Sequence, residues 1–148
     1  MTEAAREIRR ARETDAAAIK GIIDMYVPNG TLLPRSLEFL ELNAHEFIVE
    51  TAGDEVIGCV HLDEYSPSLA ELRSLGVAPA WQGKRVGADL VAATEEFARA
   101  RGYHTLFAVS NDELFFRKFG FEPRHIPELD IERSEVSRFK GVYAKDLG

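Results

Sequence analysis

Cysteine is nearly absent: Cys59 is the only one, so no intramolecular disulfide and no thiolate metal cluster can form. Long apolar runs are missing too, and the first residues are charged, so neither a transmembrane helix nor a signal peptide is expected. Positive charge is in deficit, with 18 Lys and Arg against 25 Asp and Glu and a net charge of −7. That balance argues against nucleic acid or a membrane surface as partner, although a local basic pocket can still take one anionic ligand. Repeats, low-complexity tracts and linkers are also lacking. What remains is 148 residues, 45% hydrophobic and 29% charged. This suits one domain spanning 1–148, with a good core and a cytoplasmic address by default.

The apolar pattern alternates between the periods of strands and helices. Ile8 to Ala11 reads as a short strand. Thr14 or Asp15 can cap a helix carrying Ile19, Ile22, Ile23 and Tyr26, which Pro28-Asn29-Gly30 stops. Ser36 caps a second helix with Leu37, Phe39, Leu40 and Leu42. Phe47 to Thr51 and Val56 to Leu62 are β-rich runs around Ala52-Gly53-Asp54-Glu55, a hairpin signature. Glu71 to Val77 is the next strand, with Gly76 inside it marking a bulge or a close approach. A long helix carries Leu90, Val91, Thr94, Phe97 and Ala98 and ends near Gly102. Thr105 to Val109 is a buried strand, Glu113 to Phe119 a short helix closed by Gly120, and Val142 to Ala144 part of a last strand. The expected class is one α/β domain with a mixed sheet.

Between the strand ending at Val77 and the long helix lies Gln82-Gly83-Lys84-Arg85-Val86-Gly87-Ala88. A glycine-containing loop at a helix start offers backbone N–H groups and the positive helix end to an anion. Neither Gly-x-Gly-x-x-Gly nor a Gly-Lys-Ser/Thr ending is present, so the two best-known phosphate loops do not fit. The stretch resembles the acyl-CoA loop of the GNAT acetyltransferase superfamily, Gln/Arg-x-x-Gly-x-Gly/Ala, with Arg85 where glycine is usual. Phe115-Phe116-Arg117-Lys118-Phe119-Gly120-Phe121 is similar to that superfamily's late Tyr-x-x-x-Gly-Phe segment, with Phe116 in the tyrosine position. Within the superfamily, Leu32-Leu33-Pro34-Arg35-Ser36, Glu71 to Val77, Leu106 to Ser110 and the tail through Ile126-Pro127-Glu128, Arg138 and Lys145-Asp146-Leu147 resemble the acetyltransferase domain of bacterial N-acetylglutamate synthases. Those longer enzymes add an arginine-sensing, amino-acid-kinase-like domain. These residues leave no room for one, so arginine control of that kind is not expected.

The resemblance implies a GNAT-like domain: a mostly antiparallel mixed sheet flanked by helices and splayed at the acetyl-CoA site. Acetyl-CoA is the implied cosubstrate, without a metal. Its pantetheine would lie on Leu75, Gly76 and Val77, and its pyrophosphate on the backbone of Gly83, Lys84, Arg85, Val86, Gly87 and Ala88 after Gln82. Asn111, Phe115 and Phe116 complete the cofactor side. A tyrosine at position 116 would protonate the departing thiolate, so that role is vacant or filled by another group. Arg85 in place of glycine demands a suitable φ.

Acetyl transfer to an amine needs a neutral amine, a positioned carbonyl, a proton acceptor and an oxyanion partner. Glu71 sits where some GNAT enzymes have the general base; the structural alternative is a strand-end carboxylate paired with an arginine. Ser110 is the candidate proton donor to sulfur, and it and Asn111 are equally readable as caps of the next helix. Arg35 and Arg138, with Leu33 beside them, match substrate residues of the synthases, and a guanidinium binds a carboxylate through two parallel hydrogen bonds. Ordinarily a lone arginine is solvated surface. Arg73 is either a reader of a second carboxylate or an ion-pair partner of Glu71. Trp81 reads as packing beside the cofactor loop, and Cys59, between Gly58 and Val60, as a buried small residue rather than a nucleophile.

The function expected is therefore an amino-acid N-acetyltransferase with glutamate as leading acceptor, serving arginine synthesis. Its rivals are a GNAT enzyme of another small amine or protein amino group, and a non-catalytic acyl-CoA or amino-acid sensor. A homodimer is left open.

Overall fold

The computed structural model describes residues 5–129 and 141–148. Its strands are β1 (Arg6–Arg10), β2 (Phe47–Ala52), β3 (Glu55–Ser66), β4 (Leu69–Val77), β5 (Thr105–Ser110), β6 (Glu122–Pro123) and β7 (Gly141–Asp146). The helices are α1 (Ala16–Tyr26), α2 (Leu37–Leu42), α3 (Val86–Ala100) and α4 (Glu113–Arg117). The strands form one sheet in the order β1-β2-β3-β4-β5-β7-β6. All neighbours are antiparallel except β4 and β5, whose parallel pairing requires a crossover, supplied by α3.

Local chemistry accounts for most boundaries. Ser36 Oγ accepts the Phe39 N–H at 3.0 Å and starts α2. Gly53, with φ 61°, turns the β2–β3 hairpin. The expected cap at Thr14 or Asp15 is replaced by a helical turn over Glu13–Asp15. There the Asp15 carboxylate accepts the Arg12 N–H at 2.8 Å and pairs with Arg9 at 2.7 Å. β3 runs to Ser66, past the expected end at Leu62, because its polar residues Asp63 and Glu64 pair with Glu71 and Ala70 of β4. α4 closes at Arg117, two residues before the expected Phe119.

Strand alternation sorts the side chains onto two faces. Val60 and Leu62 of β3, Ala70 and Leu72 of β4, and Leu106 and Ala108 of β5 join Leu90, Val91 and Ala98 of α3 in the larger core. Cys59, Phe47 and Val49 pack with Ile19, Ile22 and Ile23 of α1 and Leu40 of α2 on the opposite face. Gly76 is where α1 comes close, since a Cβ there would lie 2.9 Å from Ile22 Cγ2.

Two irregularities open the centre of the sheet. β4 pairs with β5 only at Leu69, Ala70 and Glu71, opposite Thr105, Leu106 and Phe107. Beyond Glu71 the strands part. On its other side β4 carries a bulge: His61 opposes Arg73 and Cys59 opposes Gly76, so Ser74 and Leu75 together face Val60. Ser74 takes φ 55° there. The bulge thus lies just before the glycine that suggested it. It bends β4 where its pairing with β5 has ended.

Candidate active site

The mouth of the splay is bounded by the end of β4, the start of α3 and α4. The Cβ position of Gly87 is 3.6 Å from the Phe115 ring and 3.9 Å from Val77 Cγ2, so these three elements converge. Arg85 precedes α3 in a left-handed conformation, φ 69°, after Gly83 with φ 77°. The Asp89 N–H makes the first helical bond, to Arg85 O at 3.0 Å. No side chain caps this end. The N–H groups of Val86, Gly87 and Ala88 therefore lack helical acceptors and carry the partial positive charge of the helix N-terminus, with Lys84 and Arg85 exposed beside them. This is anion-binding geometry. Trp81 packs against the larger core, with Lys84 Nζ 5.3 Å and the Arg6 guanidinium 5.8 Å from its ring centroid.

A charged cluster occupies the α1 and α2 face of the sheet beside the splay. Register makes it: His61 and Asp63 on β3 lie opposite Arg73 and Glu71 on β4. Arg73 is 3.0 Å from Asp63 and 3.8 Å from Glu71. Burial pushes the Glu71 carboxyl above the usual glutamate range, aided by Asp63 and opposed by Arg73 and Arg35. Arg35 enters from the loop before α2. Its guanidinium lies 4.8 Å from the Phe39 ring centroid, and its buried Nη2 has no hydrogen-bond partner among the described residues. Burial and then Arg73 draw the Arg35 pKa down, while Asp63, Glu71 and Glu46 hold it up. A buried guanidinium N–H without an acceptor is costly, which makes it a ready site for an incoming carboxylate.

His61 and Glu46 belong to this cluster and were not among the site residues expected from the sequence. His61 is 1% exposed, stacks on Phe47 at 4.3 Å and bonds Glu46 through Nε2 at 2.9 Å. Burial lowers its pKa despite Glu46. Glu46, His61 and Asp63 could meet on one cation by distance, but Arg73, paired with Asp63, puts a fixed positive charge at that place.

The remaining candidates divide. Ser110, at the end of β5, accepts the Asp112 N–H at 2.9 Å, and Asp112 rather than Ser110 or Asn111 caps α4, through Phe115 N at 3.1 Å. One acceptance leaves the serine proton available for another partner. Asn111 is exposed. Phe115 flanks Gly87, whereas Phe116 is buried in the core against Phe121 and Tyr143. Leu33 is exposed near Arg35 in sequence, and Arg138 lies outside the described residues. Cys59 is fully buried with its thiol pushed up to about 12, in keeping with a packing role. Tyr26 is a further addition: its hydroxyl donates to Val77 O and accepts from Gln82 Nε2.

Comparison with known proteins gives these features a context. The sequence pattern of the acetyltransferase (GNAT) family matches residues 11–121. An uncharacterized N-acetyltransferase of Chlorobaculum tepidum is 33% identical over 115 residues, 78% of this chain and 74% of that protein. The amino-acid acetyltransferase of Aeromonas salmonicida is 30% identical over 138 residues, 92% of this chain and 31% of its own length. This chain thus spans about a third of the amino-acid acetyltransferases it matches. Among solved structures, N-acetylglutamate synthase from Neisseria gonorrhoeae, complexed with coenzyme A and N-acetyl-glutamate, superposes with a TM-score of 0.88 at 28% identity, over 99% of this chain and 36% of that one. Rv2747 from Mycobacterium tuberculosis, in complex with CoA and NLQ, gives 0.83 at 27% identity over 95% of this chain and 98% of that one.

Proposed function

The chain belongs to the acetyltransferase (GNAT) family, and on that premise we propose that it moves the acetyl group of acetyl-CoA onto the α-amino group of an amino acid, glutamate being the leading acceptor. The observation that carries the reading is Arg35: a buried guanidinium with an unanswered Nη2, set among the charges of Glu71, Arg73, Asp63 and Glu46 beside the splay. The relative solved with N-acetyl-glutamate supports the same acceptor. A role in supplying arginine synthesis would follow.

In this reading the pyrophosphate lies on the N–H groups of residues 83 to 88, and the pantetheine pairs with the open edge of β4 at Leu75 and Val77. A backbone N–H of that edge faces the thioester oxygen and stabilises the oxyanion. Arg35 holds the α-carboxylate, with Arg138 as the second arginine, and so presents the amine. The amine nitrogen attacks the carbonyl carbon, a C–N bond forms and the C–S bond breaks. Glu71 takes the amine proton directly or through one water, and its raised pKa brings it closer to that task. Ser110 supplies a proton to the thiolate, and solvent restores it.

A second acceptor reading has its own observation. Arg73 is engaged by Asp63 at 3.0 Å, so in the cluster around Glu71 it does not stand open to a second carboxylate. Amino acids with an uncharged side chain are the competing acceptors. Thiol release from acetyl-CoA across a panel of amino acids, glutamine included, decides between them. Arg35→Ala should lower kcat/KM for the preferred amino acid at least about tenfold, the size of a lost charge-assisted hydrogen bond, and leave acetyl-CoA affinity nearly unchanged. Arg35→Lys should restore only part, since a point charge lacks the planar fork. Equal turnover of amines without an α-carboxylate would move the chain to the general small-amine enzymes.

A further inference from the structure

Tyr26 is the last residue of α1 and touches three parts of the site at once. Its hydroxyl donates to the carbonyl of Val77, where β4 ends on the open edge of the splay, and accepts from Gln82, the first residue of the donor loop. Its own carbonyl accepts the Leu32 N–H at 3.1 Å. Leu32 leads into Leu33 and Arg35, and the Arg35 carbonyl is held by Lys20 Nζ, also on α1, at 2.9 Å. The acceptor loop therefore hangs from α1 at two points. α1 is in turn hooked to β4 and the donor loop by one phenolic oxygen.

We infer that Tyr26 is a positioning residue that couples acetyl-CoA occupancy to the order of the acceptor loop, so that the donor prepares the amino-acid site; this rests on the acetyltransferase reading above. Phosphates fixed on residues 83 to 88 also fix the neighbouring Gln82, and the Gln82–Tyr26 bond passes that restraint to the end of α1. From there the Leu32 N–H and the Arg35 carbonyl carry it to the loop that holds the free guanidinium. Linkage makes the effect reciprocal: whatever the donor adds to acceptor affinity, the acceptor adds to donor affinity. One or two neutral hydrogen bonds give a coupling of about three- to tenfold. The ring itself packs on Gly76, with Cδ2 3.8 Å from that residue's Cβ position. Tyr26→Phe therefore keeps the packing and removes only the link.

The test is backbone amide exchange of residues 31–36 with and without CoA, in the wild type, Tyr26→Phe and Gln82→Ala. CoA should slow exchange there about three- to tenfold in the wild type. The slowing at 83–88 should persist in both variants, while at 31–36 it should vanish in Tyr26→Phe and shrink in Gln82→Ala, where the Tyr26–Val77 bond remains. At saturating acetyl-CoA, Tyr26→Phe should raise the acceptor KM by a similar factor with kcat little changed. Gln82 is exposed, so its variant carries the test if Tyr26→Phe fails to fold. No slowing at 31–36 in the wild type, or slowing undiminished in either variant, would overturn the coupling. The exchange measurement needs no acceptor: if it holds while glutamate and the amino-acid panel are inert, the acceptor reading falls and the coupling stands. If the wild type does not bind CoA, both fall together.

Discussion

At Glu71 burial costs stability, and on the proposed mechanism the same burial favours activity. Burial raises its pKa, so over the window from the ordinary glutamate value up to the folded value the native chain binds more protons than the unfolded one. Stability therefore falls as pH rises through that window. Above it the charged side chain is a cost that Glu71→Gln removes, and Arg73 still has Asp63 at 3.0 Å. The expected variant unfolds at the same temperature as the wild type or higher at neutral pH, while kcat drops about 10²–10⁴-fold, the usual size of a general-base contribution. The acid limb of the wild-type kcat/KM profile should lie above about 4.3, the reference glutamate value. Thermal melts and a pH–rate series check both. A limb at or below that value, together with unchanged kcat in the variant, would return Glu71 to the role of an ion-pair partner.

The start of α3 shows what one element contributes through its backbone. Gly87 does not have a positive φ, and a Cβ there would make only ordinary contacts with Phe115 and Val77. Gly87→Ala is therefore expected to fold. Gly87→Glu is expected to fold equally well, because a carboxylate in the first helical turn is favourable and glycine in a helix costs roughly 0.5–1 kcal/mol relative to alanine. On the proposed placement of the pyrophosphate, the same carboxylate would compete with it for the uncapped N–H groups. Calorimetry should show acetyl-CoA affinity at least about tenfold weaker in Gly87→Glu than in Gly87→Ala, a difference of about 1.4 kcal/mol. Equal affinities in the two variants would remove the pyrophosphate from this loop.

The sheet as a whole is two strand groups joined weakly at its centre. β1 to β4 on one side and β5 to β7 on the other share three parallel pairings, and α3, which packs on β2 to β4, connects them along the chain. On the proposed placement, a donor lying in the gap would replace missing strand–strand contacts with its own, so the native state would gain and the unfolded state would not. At a hundred times its Kd, acetyl-CoA should add about 2.7 kcal/mol of stability. Differential scanning calorimetry should show Tm climbing with acetyl-CoA concentration in the wild type and much less in Gly87→Glu. A Tm insensitive to acetyl-CoA in both would mean that the native chain does not take the donor.

What the amino-acid order determined alone is whatever rests on neighbours along the chain. The Ser36 cap, the Gly53 turn, the apolar stripes of α1 and α3, the β-rich runs of β2 to β5 and the glycine-containing loop from Gln82 to Ala88 ahead of α3 are local, and each was legible before any coordinates. The resemblance carried by Gln82 to Ala88 and Phe115 to Phe121 supplied the family. β6 escaped because two residues carry no period, and the end of β3 escaped because Asp63 and Glu64 read as loop until β4 pairs with them. Only the tertiary structure decided that β4 and β5 separate after Glu71, that the bulge falls at Ser74, and that His61 and Asp63 face Arg73 and Glu71. Glu46 and Tyr26 enter the site by the same route. The reason is register. A one-residue shift between paired strands moves every side chain to the other face, and register is chosen by the packing of both faces together, which no single segment contains.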